Sequence, residues 1–434
     1  MSSKRKLIKD DYSPEMESKR AKLIADIFHE ASEADNTAIA SVILSRVGSD
    51  SLVIEQISKN NTIHEVSQTG NVALLKELIS LGVKIDCLND DGKSPLHIAC
   101  ENTYSEVVEE LLKNGANPNL KCKSIEYKRS PMHLVFEKGY IEENNEINKQ
   151  TIAIIECLLR YGADINAENG LDQTSLLLAT VFENVAAVKL LLKNGAKTNG
   201  FVEKEDNPLC VATEHNYIDI VEELLKYGAE INPKDSDGIP LYIASKRGHF
   251  ELVSKFIDFG ANVNIQDCFS RTPLYASSKN GHLETVKKLL KHGANPNLKI
   301  ADHTWPIIVA TNGEHLDIVK ELLKHGANIN VAEEEEFYTP LHKAALCGYA
   351  TIVKEFLSHG ANVNAKTLED ETVLHVAIRH NFYDHYQESL EIIQLLLEDK
   401  SIDLNLKNED GLTPLEKALK LKHMEIAKMI SKKM

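Results

Sequence analysis

No stretch of the 434 residues approaches the ~18 uninterrupted apolar side chains of a membrane span, so no membrane partner is expected. The start, MSSKRKLIKDDYSPEMESKRAKL, has no continuous apolar core of the kind a secretory signal carries. Seven cysteines, at 87, 100, 122, 157, 210, 268 and 347, never form a C-x-x-C pair. Reduced thiols in an intracellular compartment are expected, with no structural metal and no cofactor. Positive charge is also scarce: 49 basic against 65 acidic residues leave a net charge of -16, so no nucleic-acid partner is expected. There is no Gly-rich phosphate loop, H-E-x-x-H or G-x-S-x-G, so the chain is read as a non-enzyme without catalytic residues. With 43% apolar residues it is nevertheless not disordered in bulk.

What the chain does have is repetition. The phrase Thr-Pro-Leu-His, or a decayed form of it, begins at 61, 94, 130, 174, 207, 239, 272, 305, 339, 372 and 413. Seven of the ten spacings lie within one residue of 33, which marks an array of small units rather than separate domains. A second phrase keeps the same period, with Gly-Ala pairs beginning at 115, 162, 195, 228, 260, 293, 326 and 360.

The copy at 272 explains the unit physically. Thr272 is suited to cap a helix and Pro273 to open it, where no amide donor is missed. That short helix breaks at Asn280-Gly281-His282, and a second follows from about Leu283, with Val286, Leu289 and Leu290 on one face. Gly293 ends it, and Ala294-Asn295-Pro296-Asn297 opens an extended finger to the next unit. One such pair of helices has no way to enclose its own apolar stripe, so neighbours must supply the missing surface.

Ser94-Pro95-Leu96-His97, Thr339-Pro340-Leu341-His342 and Thr372-Val373-Leu374-His375 resemble the ankyrin repeat. The resemblance covers residues 61–434 and implies an all-α solenoid of eleven helix-turn-helix units with short β-hairpin fingers. At ~8 to 10 Å per helical layer the solenoid would be a curved rod on the order of 100 Å long. Ile239 and Trp305 replace the capping threonine, so irregular fingers are expected there. Extra length falls at Leu120 to Arg129, in a finger, and at Tyr140 to Gln150 and Phe382 to Ser389, between paired helices. In the last unit, 413–434, Lys417, Lys420, Lys422 and Lys428 are expected outward and Leu415, Ala418, Ile426 and Ile430 inward. That suits a terminal cap and a chain complete at its end.

Before the array, residues 23–60 read as a cap or degenerate repeat, with Leu23, Ile24, Ile27 and Phe28, then Ala38, Ile39, Val42 and Ile43, on two amphipathic helices. Residues 1–22 read as a disordered basic tail. Its clusters Lys4-Arg5-Lys6 and Lys19-Arg20-Ala21-Lys22 are twelve residues apart, like a bipartite nuclear localisation signal for an import receptor. A nuclear or cytoplasmic location follows. Ser13-Pro14 between the clusters resembles a proline-directed phosphorylation site.

The histidines recur at the fourth place of the capping phrase (64, 97, 133, 342, 375) and at the start of the second helix (249, 282, 315). Periodicity makes them structural rather than metal ligands or catalysts. The acidic run Glu333 to Glu336 reads as a solvated finger tip, since no EF-hand spacing surrounds it. The family likeness implies that partners lie across the finger tips and the exposed end of each first helix. Lys246, Arg247, Phe269, Arg271, Lys279, Asn280, Glu335, Glu336 and Tyr338 are the partner-binding candidates. The first five would form one local positive site around an apolar anchor.

The expected function is therefore a monomeric, non-catalytic scaffold or regulator binding one protein partner. Alternatives are an adaptor for a ubiquitin ligase, a secreted effector acting on a host, or a substrate of asparagine hydroxylation. The last would act at the finger residues Asn119, Asn166, Asn232, Asn264, Asn297, Asn330 and Asn364, as in the family.

Overall fold

The computed structural model describes residues 14–33, 37–47, 50–123, 128–137, 145–199, 207–233, 238–300, 304–379 and 386–434. Among them it holds 25 helices. Extended structure among these residues is confined to two isolated antiparallel bridges, Glu168 with Thr174 and Lys366 with Thr372. The fingers are therefore built from turns, with a bridge where a hairpin was expected to pair more fully. The chain divides into two compact units, residues 1–203 with 222–228 and residues 204–221 with 229–434.

The first unit opens with three helices rather than the two anticipated: α1 (Pro14–Glu33), α2 (Thr37–Val47) and α3 (Ser51–Lys59). The expected boundary between a disordered tail and a helical cap at residues 22 and 23 falls inside α1. The helix reaches back because Ala21 continues the buried face formed by Ala25 and Phe28. The short α3 is started by Asp50, whose carboxylate accepts from the amides of Leu52 and Val53. Then come α4 (Thr62–Thr69) and α5 (Val72–Ser80), the first regular pair, and α1 packs on α3 and α4.

Every one of the eleven capping phrases is followed one residue later by a helix, from Thr62 to Pro414. In the second unit Thr272 caps Pro273–Lys279 by accepting from the amide of Tyr275. Each such cap stabilises its helix by about 1 kcal/mol. Ile239 and Trp305 make no side-chain cap. Ile239 is instead fully buried with Tyr242 and Ala276, exchanging a polar cap for apolar burial. The fingers just before these two positions, 234–237 and 301–303, lie outside the described residues.

Both helices of a pair bury apolar side chains. Leu283–Lys291 buries Val286, Leu289 and Leu290, and a fully buried leucine contributes roughly 1.5–3 kcal/mol. Gly293, at φ +88°, turns the chain out of that helix in a conformation L side chains resist.

Two of the three insertions lengthen helices. Residues 145–150 belong to the sixteen-residue helix Asn145–Arg160, and residues 386–389 to the thirteen-residue helix Tyr386–Glu398. Most second helices have nine residues, as in Leu283–Lys291. Opposite the first insertion the partner helix, Pro131–Leu134, shrinks to four residues. In the last pair Lys417 does not point outward as expected: it is buried, its ammonium paired with the buried carboxylate of Glu371. Ala418, Ile426 and Ile430 are buried as anticipated, while Leu415 is only half-buried.

Candidate functional site

The periodic histidines are committed to the fold. In the first unit His97 Nδ1 faces the Ser94 hydroxyl at 2.7 Å, and its Nε2 meets the Arg129 carbonyl of the next finger at 3.1 Å. His133 reaches the Ala167 and Gln173 carbonyls in the same way. In the second unit His375 reaches the Leu412 carbonyl at 3.0 Å. Burial pushes the imidazoles of His97 and His342 down to about 4, against their neighbouring backbone carbonyls. Both are neutral at physiological pH; His97 bridges to the next finger, while His342 holds its own cap through Nδ1. At the second-helix position, His249 Nε2 lies 3.2 Å from the Glu214 carbonyl and His282 Nε2 lies 3.1 Å from that of Lys246, both in the preceding first helix. Among the described residues no three His, Cys, Asp or Glu side chains gather as a metal site would require.

The finger asparagines are committed too. Asn297 Nδ2 donates to the Gly326 carbonyl at 2.9 Å, and its Oδ1 accepts from the Asn328 amide at 2.7 Å. Asn119, Asn232, Asn264 and Asn364 each make the same two bonds to the following finger. Asn166 and Asn330 each accept from the amide of the next finger, at Lys197 and Asn362. A hydroxylase would therefore meet amides already bonded at both ends in five of the seven fingers.

The residues placed on the binding face fall into three sets. Phe269 stands 51% exposed at a finger tip. Beside it the Arg271 guanidinium lies 4.7 Å from the Phe269 ring centre and 5.1 Å from that of Tyr242. Lys246 and Lys279 are exposed, and among the described residues neither has a carboxylate partner; Lys279 Nζ lies 6.0 Å from the Tyr275 ring centre. Glu335 and Glu336 are exposed on their finger, while Glu333 in the same run pairs with Lys343 at 2.7 Å.

The second set corrects the expectation of four free cations. Arg271 Nε donates to Asp267 Oδ2 at 2.6 Å, and Arg247 pairs with Glu214. Half of the anticipated positive charge is thus offset locally, because long basic side chains beside a finger find carboxylates within reach. In the third set are residues whose polar groups are engaged within the chain. Tyr338 is 5% exposed, and its hydroxyl accepts from Arg379 Nη2 at 2.6 Å, so it serves packing rather than contact. Asn280 is exposed, but its Nδ2 donates to the Ala276 carbonyl at 2.8 Å and closes its own helix.

Asp267 is the residue that sequence reasoning missed. Its Oδ1 accepts from the amides of Phe269 and Arg271, at 2.9 and 2.7 Å, so one buried carboxylate fixes the whole fingertip. The signal was there in the spacing Asp267-Cys268-Phe269-Ser270-Arg271, an aspartate able to fold the chain back on itself.

Of the basic clusters near the start, Lys4, Arg5 and Lys6 lie outside the described residues, as does Ser13. Lys19, Arg20 and Lys22 lie on α1, with Lys19 paired to Glu15 at 2.8 Å. All three are helical. No helix among the described residues is long and apolar enough to cross a membrane.

Comparison with known proteins agrees with this geometry. Models described as "Ankyrin repeats (3 copies)" match residues 28–142, 146–235, 236–300, 274–367 and 307–387, and "Ankyrin repeats (many copies)" matches 357–418. The "Putative ankyrin repeat protein FPV024" of Fowlpox virus (strain NVSL) is 31% identical over 121 residues, 27% of this chain and 18% of that protein. The potassium channel AKT2/3 of Arabidopsis thaliana is 30% identical over 101 residues, 23% of this chain and 12% of the channel. Rabankyrin-5 of Mus musculus is 27% identical over 164 residues, 33% of this chain and 14% of that protein. The chain spans less than a fifth of the length of each of these relatives. With capping phrases, histidine rivets and asparagine bridges recurring at one period under family models that cover most of its length, the chain belongs to the ankyrin-repeat family, whose arrays are protein–protein interaction scaffolds.

Proposed function

We propose that this chain is a non-catalytic scaffold that captures a protein partner on the second unit, along the fingers and first helices from Lys246 through Phe269 to Glu336. The recognised element is a short segment of the partner that combines an apolar side chain with a carboxylate. The observation that carries this reading is Phe269, half exposed yet held by a fingertip that is rigid before any partner arrives. An aromatic ring backed by an arginine is the composition that interface hot spots favour, with ~2 kcal/mol or more lost on truncation. Because the fingertip is preformed, little ordering entropy is lost on binding.

Charge sets the partner's chemistry. A chain of net charge -16 repels acidic ligands at long range, so Lys246 and Lys279 act only within a Debye length of ~8 Å. That favours one carboxylate in an apolar setting over a polyanion, with Glu335 and Glu336 drawing a basic residue further along the same segment.

The test is affinity capture with the full chain, followed by titration of the captured partner against Phe269→Ala and Lys246→Glu/Lys279→Glu. Both variants should weaken binding by an order of magnitude or more, and the lysine reversal should lose its effect in high salt. A partner whose affinity stays within about twofold for both variants binds elsewhere, and the reading fails.

A further inference from the structure

The first unit carries a second surface that this function does not use. On α1 the buried face is Ala21, Ala25 and Phe28, yet a second stripe at helical spacing, Met16, Leu23 and Ile27, faces outward. Leu23 is 61% exposed and Ile27 45%. On α2, Ala40 and Leu44 are buried while Ile39 and Val42 are each 49% exposed. α2 packs on α1 and on α5 (Val72–Ser80), and Ile39 and Val42 remain outside both contacts. Where the helices meet, Ile24, Ile27, Ile43, Val47 and Val53 line an open cavity of about 290 Å³.

One end of this cavity is charged. Because α1 and α2 are joined by only three residues, they run back along each other, and the first half of α1 meets the end of α2. Arg20 and Arg46 therefore stand at the same end, and both line the cavity. Among the described residues neither guanidinium has a carboxylate partner. The one acid that lines the cavity, Asp50, is engaged in capping α3 through the amides of Leu52 and Val53.

We propose that the groove between α1 and α2 docks an amphipathic helix of a partner protein, apolar along one face and carrying carboxylates at one end. Two parallel stripes with helical period offer ridges and a groove that a third helix fills, as helices cover one another throughout this chain. The paired guanidiniums select the end that carries the acids and fix the direction in which the helix lies. The site is independent of the finger surface: it lies in the other unit and shares no residue with it.

The probe is a fluorescent synthetic peptide of about 18 residues, long enough to be partly helical alone. It has leucines at i, i+3, i+4 and i+7 and two glutamates in its first turn, and a second version has lysines there instead. Anisotropy with the full chain should show the glutamate peptide binding about tenfold more tightly than the lysine peptide. Arg20→Glu/Arg46→Glu should reverse that preference, and Ile27→Asp should remove both. All three side chains are exposed, and circular dichroism confirms that the variants fold. The proposal is overturned by no binding of either peptide, by equal binding of the two, by binding that survives Ile27→Asp, or by palmitate displacing the glutamate peptide, which would make the groove a lipid site.

Discussion

Asp267 holds Arg271 in two ways at once: its Oδ2 accepts from the guanidinium Nε at 2.6 Å, and its Oδ1 from the backbone amide at 2.7 Å. The carboxylate has no solvent exposure while the guanidinium remains about a third exposed. Burial opposes the charge on Arg271, but the Asp267 hydrogen bond and the charges of Tyr242, Asp267 and Cys268 together outweigh it, and its pKa lies above the usual arginine value. The ion pair therefore acts as a fixed platform under Phe269 rather than as a free cation awaiting a ligand.

Asp267→Ala should accordingly damage the fingertip more than Arg271→Ala. Removing the acid leaves two backbone amides and a guanidinium without their acceptor, a loss of about 2 kcal/mol or more. Removing the arginine leaves the backbone turn intact. Chemical denaturation of the two variants should rank them in that order, and equal midpoints would mean that the carboxylate is dispensable.

The asparagine bridges predict a similar asymmetry. Asn297→Ala removes one donor and one acceptor between adjacent fingers and should cost about 1–2 kcal/mol. Asn297→Asp keeps an acceptor for the Asn328 amide but turns a carboxylate toward the Gly326 carbonyl, so at neutral pH it should cost at least as much as alanine. In thermal unfolding, a stability loss for Asn297→Asp well below that for Asn297→Ala would show that donation to Gly326 contributes little.

What the sequence made legible was whatever recurs. Thr272, Pro273 and Gly293 act locally, so their roles follow from position in the repeat, and the same holds for His97, whose partner lies one period away; Asn297 recurs too, but its bridge to the next finger was not read from the sequence. Lys417 was misread because its partner, Glu371, sits in the preceding repeat at no fixed spacing, and an exposed lysine is the ordinary expectation. Arg247 and Arg271 looked free for a related reason: composition counts charges, while neutralisation depends on which carboxylate a side chain reaches. Tyr338 looked exposed because it precedes the capping phrase, yet the finger folds its ring inward onto His342, with ring centres 5.8 Å apart. The short α3 escaped notice because its apolar residues, Leu52, Val53 and Ile57, span barely two turns.

Local stability should be uneven along the chain. Nearest-neighbour interfaces supply most of the stabilisation in a repeat array. Pro131–Leu134 offers its neighbours a single turn where other first helices offer two. Hydrogen exchange should show residues 61–170 opening more easily than 260–360, and matched protection of the two stretches would remove the idea of a weak joint.

Acid should weaken the fold before the carboxylates titrate fully, because of the buried histidines. His97 and His342 have folded pKa values of about 4, against about 6.5 in an unfolded chain. Between those values the unfolded chain binds protons that the folded one refuses, so stability rises with pH across the interval. The contribution is fully present above pH ~6.5 and is lost progressively as the pH falls to ~4, amounting to about 3 kcal/mol for each histidine. Urea midpoints measured from pH 7.5 to 4.5 should fall accordingly. His97→Gln/His342→Gln should start from a lower midpoint at pH 7.5, having lost the imidazole's place in each helix cap, and should show a flatter decline. A double variant that tracks the parent's slope throughout would assign the acid sensitivity to other groups.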